Sequence, residues 1–237
     1  MRIGLAAYEF INNDMAFNVA QMERALKSAR GSVELLCFGE AFLQGFDSLS
    51  WSHEQDARVA IAVDSPVMQR ICDMSARFET DLAFGYIEKC KSALYSSYAL
   101  IENGAVAHNY RRISRGWKEY CAPDEYYKEG DAAAEFTYRG QRMAVALCGD
   151  LWDFPDRFRT DGILLWPIYV NYTLEEWREC EAEYAAQALL AAERALMVNS
   201  ITKAPGPIAH GGAFCFAAGK TASKLPYDAK SILVVEV

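Results

Sequence analysis

A cysteine at position 148 stands where a strand would deliver a thiol into a turn, because the run Arg142-Met-Ala-Val-Ala-Leu147 precedes it and Gly149-Asp150 follows. Catalytic groups and ligands collect at the carboxyl ends of strands in α/β folds. A thiol followed by glycine can present its sulfur to a pocket while the next backbone N–H, that of Gly149, points at a substrate oxygen; this pairs a nucleophile with an oxyanion hole. Most buried cysteines are only small core hydrophobes, so Cys148 gains weight from a partner. Glu40 offers itself as that partner. It ends the apolar segment Glu34-Leu-Leu-Cys-Phe-Gly39 and leads into an aromatic loop, Ala41-Phe-Leu-Gln-Gly45-Phe46. A carboxylate in an apolar mouth is costly to ionise, and that cost suits it to taking a thiol proton as a general base. The ordinary alternative for Glu40 is a helix cap or a surface ion pair.

Other chemistry-bearing residues are less organised. The three histidines, His53, His108 and His210, are far apart and none has an HxH or HExxH spacing, so no metal site is read. A Cys-His enzyme would need one of them beside Cys148, and His210, ahead of Gly211-Gly212, is the one to weigh. Seven cysteines, an odd number with no CxxC pair, fit reduced thiols better than a disulfide framework or a zinc knot. Asn171-Tyr-Thr173 matches a glycosylation acceptor, but Thr173 is better used as a helix cap. Trp152, close behind Cys148, is expected to line the pocket, and Trp166 to fill the core.

The elements that must position these residues alternate along the chain. Strands are read at residues 2–8, 33–38 and 81–87, with amphipathic helices at 14–30 and 66–78 between them. Residues 92–102 and 105–111 form a hairpin around Asn103-Gly104, one of the strongest two-residue turn signals. A second hairpin joins 135–138 to 142–147, a buried strand follows at 162–166, and the capping box Thr173-x-x-Glu176 opens a long helix through Arg194. Strands at 197–201, 213–217 and 232–237 complete a layered α/β domain of mixed sheets with helices on sheet faces. One domain is expected to span residues 1–237.

Composition limits the partners. With 52% hydrophobic and 24% charged residues the chain can build a core. A formal charge of −8 repels polyphosphate, which argues against a nucleic-acid partner. No segment approaches the roughly 20 apolar residues of a membrane span, so a cytoplasmic protein with a small-molecule substrate is expected.

Several segments together resemble the carbon-nitrogen hydrolase (nitrilase) superfamily. Phe38-Gly-Glu40-Ala-Phe-Leu-Gln-Gly45-Phe46 is similar to its glutamate motif, and Leu147-Cys148-Gly-Asp150-Leu-Trp-Asp-Phe-Pro155-Asp to its cysteine motif. Tyr95 to Gly104 with Tyr110-Arg111-Arg112 resembles the hairpin that carries the family's lysine, and Asp161 to Pro167, Arg194 to Asn199 and Gly211 to Ala213 resemble later segments. The resemblance implies a four-layer αββα sandwich and a Glu-Lys-Cys triad that hydrolyses a non-peptide C–N bond, in a small amide, N-carbamoyl compound or nitrile. It also implies a homodimer or larger assembly, for which the helix 175–194 is the face to inspect, and no metal or organic cofactor.

At the lysine this sequence departs from the pattern. The usual lysine falls at Arg112, and a guanidinium holds its proton too tightly to relay it. Lys118, in Ser114-Arg-Gly116-Trp-Lys118, is therefore preferred as the triad lysine, with Arg112 as the alternative oxyanion cation. For the second carboxylate that the resemblance implies, Glu125 is the nearest match, with Asp124 and Glu119 as alternatives. Should neither cation serve, the chain would be an impaired, binding or scaffold relative. Acyl transfer to an acceptor other than water would use the same residues.

Overall fold

The inner strands are buried on both faces, so each sheet must be covered on both sides. The computed structural model describes residues 1–118, 123–133 and 135–237, and its architecture follows from that requirement. The first sheet orders its strands β12-β1-β2-β3-β4-β5, with β1 Arg2–Ala7, β2 Leu35–Cys37, β3 Asp81–Cys90, β4 Ala93–Glu102, β5 Ala105–Arg111 and β12 Ser231–Glu236. The second runs β11-β10-β9-β8-β7-β6, with β6 Glu135–Tyr138, β7 Gln141–Val145, β8 Ile163–Ile168, β9 Arg194–Thr202, β10 Ala209–Ala217 and β11 Lys220–Lys224. Both sheets mix parallel and antiparallel neighbours: β1, β2 and β3 run parallel, as do β7, β8 and β9.

Period-two alternation splits the core into layers. Ile3, Leu5, Leu35, Cys37 and Ala83 of the first sheet meet Met143, Val145, Leu165, Leu196 and Val198 of the second. The opposite face of the first sheet, through Ala6, Leu36, Leu82 and Phe84, buries Met22 and Leu26 of α1 (Met15–Ala29) and Met68 and Ile71 of α3 (Pro66–Phe78). On the outer face of the second sheet, Ala144, Leu164 and Trp166 receive Trp177, Tyr184 and Ala188 of α5 (Leu174–Leu189). The result is the expected αββα sandwich.

Local signals account for the boundaries. Asp14 accepts from Phe17 N at 2.9 Å to start α1, and Thr173 and Glu176 complete the reciprocal capping box of α5. Asn103 and Gly104 both have positive φ, 52° and 76°, as the tight turn between β4 and β5 demands. The long helix expected through Arg194 instead stops at Leu189, and β9 begins at Arg194 rather than near residue 197. Arg194 is drawn into register with Ile163 and Ala217, so pairing overrides the helical propensity of the preceding residues. Two elements carried no clear periodic signal: α2 (His53–Val59), only seven residues long, and β11, a polar edge strand. A one-turn helix, α4 (Asp150–Asp153), follows Cys148.

Candidate active site

Glu40 leaves the carboxyl end of β2 in a turn pressed between the sheets. Its N–H donates to Ile168 O at 3.3 Å, and Gly39 O accepts from Gly85 N at 3.1 Å. Only glycine fits at position 85, because an added Cβ would lie 2.3 Å from Ala41 N and 2.7 Å from the Glu40 backbone. The Glu40 side chain is fully buried. Its Oε1 accepts from Ser96 Oγ at 3.0 Å and from Arg112 Nη1 at 2.8 Å, while Oε2 has no partner among the described residues. One carboxylate oxygen is thus anchored and the other is left to handle a proton.

Arg112 follows the last residue of β5. Its backbone N–H donates to Ser96 O at 2.9 Å, and its Nε donates to the buried Ser114 Oγ at 2.7 Å. The bonds from Nη1 to Glu40 and from Nε to Ser114 fix the plane of the guanidinium, with 3% of the residue exposed. Its Nη2 lies against Gly149, where an added Cβ would come within 2.4 Å of that nitrogen. Glycine after the cysteine is therefore demanded by the neighbouring cation.

Cys148 sits at the elbow between β7 and α4 with φ of 44°, a left-handed conformation that costs a non-glycine residue about 1–3 kcal/mol. Several bonds hold it there. Cys148 N donates to Pro167 O at 3.0 Å, the buried Trp166 donates Nε1 to Cys148 O at 2.9 Å, and Sγ approaches Tyr169 O at 3.8 Å. Asp150 ties this elbow to the segment bearing Arg112. Its carboxylate accepts from Leu147 N at 2.9 Å, Ile113 N at 3.0 Å, Ser114 N at 2.8 Å and Tyr110 Oη at 2.6 Å.

Burial pushes the Cys148 thiol up to about 12, the Glu40 carboxylate adds to the rise, and Arg112 opposes it. The thiol therefore rests protonated beside a carboxylate that can accept its proton. Arg112 loses some of its preference for charge through burial, but the negative groups of Glu40, Cys148 and Asp150 outweigh that and raise it above the ordinary guanidinium value. The geometry provides a nucleophile, a base, a fixed cation and, at Gly149, a backbone donor at the start of α4. Among the described residues no group of three or more His, Cys, Asp or Glu side chains is arranged to hold a metal ion.

The sequence-derived candidates separate into two sets. Glu40, Arg112, Cys148 and Gly149 come together. Lys118 does not join them: its buried Nζ donates to Asp124 Oδ1 at 2.6 Å and Tyr127 O at 2.7 Å and pairs with Glu129 Oε1 at 2.8 Å. Chemistry favoured a lysine, but the chain after Arg112 turns away through Arg115–Trp117 and commits the ammonium to its own loop. Glu125 is exposed at the surface of that loop, Asp124 is taken by Lys118 and Arg115, and Glu119 lies outside the described residues. The half-buried carboxylate of the loop is Glu129, which sequence reading passed over. Trp152 is half-buried against Trp166 and Tyr184, with ring centroids 6.0 and 5.1 Å away, and belongs to the apolar cluster that Cys148 touches. His210 pairs with Asp228 at 2.9 Å, not with Cys148. Ser96, Ser114 and Asp150 were missed; Asp150 adjoins the cysteine in the sequence, but its partners at residues 110–114 are visible only in three dimensions.

Comparison with known proteins bears on the family and the fold. The model of the carbon-nitrogen hydrolase family matches residues 2–192. An (R)-stereoselective amidase from Pseudomonas sp is 25% identical over 161 residues, 67% of this chain and 55% of the amidase, so the chain spans about half the length of that relative. Among solved structures, the CN-hydrolase superfamily protein XC1258 from Xanthomonas campestris, with an arsenic adduct in its active site, superposes with a TM-score of 0.79 at 17% identity, covering 99% of this chain and 89% of that one. A glutamate-to-glutamine variant of the amidase from Nesterenkonia sp. AN1, which carries the acetamide moiety of fluoroacetamide on its active-site cysteine, gives 0.78 at 17% identity over 100% and 90% of the two chains. The glutamine-dependent NAD+ synthetase of Acinetobacter baumannii gives 0.79 at 18% identity, with 98% of this chain matching 44% of that enzyme. The structural likenesses establish a shared fold, and the family match over residues 2–192 establishes that this chain belongs to the carbon-nitrogen hydrolase family.

Proposed function

We propose that the chain is a thiol-dependent hydrolase of a non-peptide C–N bond in a small amide, using Glu40, Arg112 and Cys148. The observation that carries this reading is the buried Glu40–Arg112 pair, 2.8 Å apart, beside a cysteine held in a left-handed elbow. A thiol raised to about 12 is not a standing thiolate. Glu40 therefore takes its proton as Sγ attacks the substrate carbonyl, and negative charge moves onto the carbonyl oxygen. Arg112 Nη2 and the Gly149 N–H stabilise that oxyanion. The C–N bond breaks as Glu40 returns the proton to the leaving nitrogen, which departs as ammonia or an amine. Water then attacks the thioester with Glu40 again as base, releasing the acid and the thiol. Arg112 acts throughout as a fixed charge, so every proton passes through Glu40.

A panel of small amides, N-carbamoyl compounds and nitriles, assayed for ammonia or amine release, tests the reading. Release by the wild type, together with a mass increase on Cys148 equal to the acyl group, is the expected result. No turnover and no adduct with any of the three classes would instead mark a binding relative.

A further inference from the structure

A cavity of about 360 Å³ opens at the far edge of the sandwich, where β5 ends the first sheet and β6 ends the second. Its lining contains neither Glu40, Arg112, Cys148 nor Gly149, and the proposed reaction makes no use of it. Its volume lies at the low end of the roughly 300–1,000 Å³ typical of small-molecule sites. The lining includes Tyr98, Tyr110, Phe136 and His108, the last two packed on each other with ring centroids 4.3 Å apart. Tyr98 and Tyr110 are paired across β4 and β5, and neither hydroxyl is available, because they donate to Phe38 O at 2.9 Å and to Asp150 at 2.6 Å. What these residues offer an occupant is π surface.

Charge at the rim selects what can follow the ring in. Of the two charged residues there, Arg111 is held by Glu88 through Nε at 2.9 Å and Nη2 at 2.5 Å, and it lies over the Tyr95 ring at 4.1 Å. That cation is already neutralised. The Asn109 amide is likewise engaged, accepting from Tyr86 Oη and donating to Glu88. Asp131, exposed at the mouth, has no hydrogen bond or ion pair among the described residues. The uncompensated charge of the rim is therefore negative, and it stands at the mouth of an aromatic-lined cavity, which suits a ligand with a ring at one end and a cation at the other. The net charge of −8 draws cations toward the molecule as a whole.

We infer that this cavity binds a small primary arylalkylammonium, with its ring among Tyr98, Tyr110, Phe136 and His108 and its ammonium on Asp131. The test is titration with 2-phenylethylamine near neutral pH, read by the imidazole proton resonances. With only three histidines, His108 is assignable from a His108→Gln variant, and His53 and His210 serve as internal controls. The expected result is a saturable shift of the His108 signals alone. Its midpoint rises about two- to fivefold in Asp131→Asn, in line with the loss of one solvated charge contact. Phenylacetate, which has the same ring and the opposite charge, should give no saturable shift. The proposal is overturned by an unchanged midpoint in Asp131→Asn, by equal binding of phenylacetate, or by shifts confined to His53 or His210. The absence of any saturable shift would also overturn it. Unaltered His53 and His210 signals in the variant show that it is folded.

Discussion

Replacing Arg112 by methionine removes two things at once, and their sizes can be estimated separately. The first is charge at the developing oxyanion, where loss of a single positioned donor costs about 10²–10³ in kcat. The second is the partner of Glu40, which is fully buried and would keep only Ser96 as a hydrogen-bond donor. Leaving a buried carboxylate without its cation costs about 3–5 kcal/mol. That penalty falls on the ionised base itself, so general-base catalysis worth about 10²–10⁴ would suffer with it. The losses act on one transition state and overlap, so Arg112→Met should lower kcat/KM by about three to five orders of magnitude rather than by their product. Arg112→Lys keeps the charge and gives up the bond to Ser114, about 1 kcal/mol, so a loss near fivefold is expected. The assay is kcat/KM on the best amide of the panel, with the circular dichroism melting temperature as a check on folding. A folded Arg112→Met variant within tenfold of wild type would refute the role given to Arg112.

Cys148→Ala should abolish turnover and covalent labelling while the melting temperature stays close to wild type, and retained turnover would rule out the covalent route. Glu40→Gln keeps the shape but not the base, with an expected loss of about two to four orders of magnitude in kcat/KM; activity within tenfold of wild type would make Glu40 structural. Lys118→Met should mainly destabilise its loop, by about 1–3 kcal/mol from the lost contacts to Asp124, Tyr127 and Glu129, and leave kcat/KM within about tenfold; a loss as deep as that of Arg112→Met would return Lys118 to the site. Burial raises both Cys37 and Cys148 from 9.0 to about 12. Groups raised in the folded state contribute stability that is complete below the unfolded value and lost as pH climbs through the folded one. Denaturation midpoints should accordingly fall between about pH 9 and 12, and less steeply in Cys37→Ala; a flat profile would contradict the burial of these thiols.

The parts of this molecule legible in the sequence are those whose cause is local. Asn103-Gly104 dictates its turn through backbone sterics, Thr173 and Glu176 cap their helix within a single turn, and apolar alternation assigns Ile3 and Leu5 to one face. Cys148 was legible because a strand, a small residue and a turn are adjacent in the chain. Lys118 misled because residue type was weighed without the path of the backbone. Nothing within a few residues of it reveals that Asp124, Tyr127 and Glu129 will surround its ammonium. The supports of the site were hidden for a related reason: Ser96 meets Glu40 across 56 positions, and Asp150 meets Ile113 and Ser114 across 37 and 36. Such pairings arise from sheet register and leave no periodic mark.

Asp150 also bears on the order in which the molecule becomes competent during folding. Glu40 hangs from the first sheet and Cys148 from the second, while Arg112 meets Glu40 across 72 positions of chain. Contacts so distant in sequence carry a large loop-closure entropy and form late. Each hairpin can zip up and each helix can coil before the layers meet, yet none of those events assembles the reacting groups. Only when the sheets close face to face can Asp150 gather the amides of 113 and 114 against the cysteine elbow. Refolding should therefore proceed with the far-ultraviolet signal running ahead and hydrolysis returning last, which makes catalysis a clock for the final docking step.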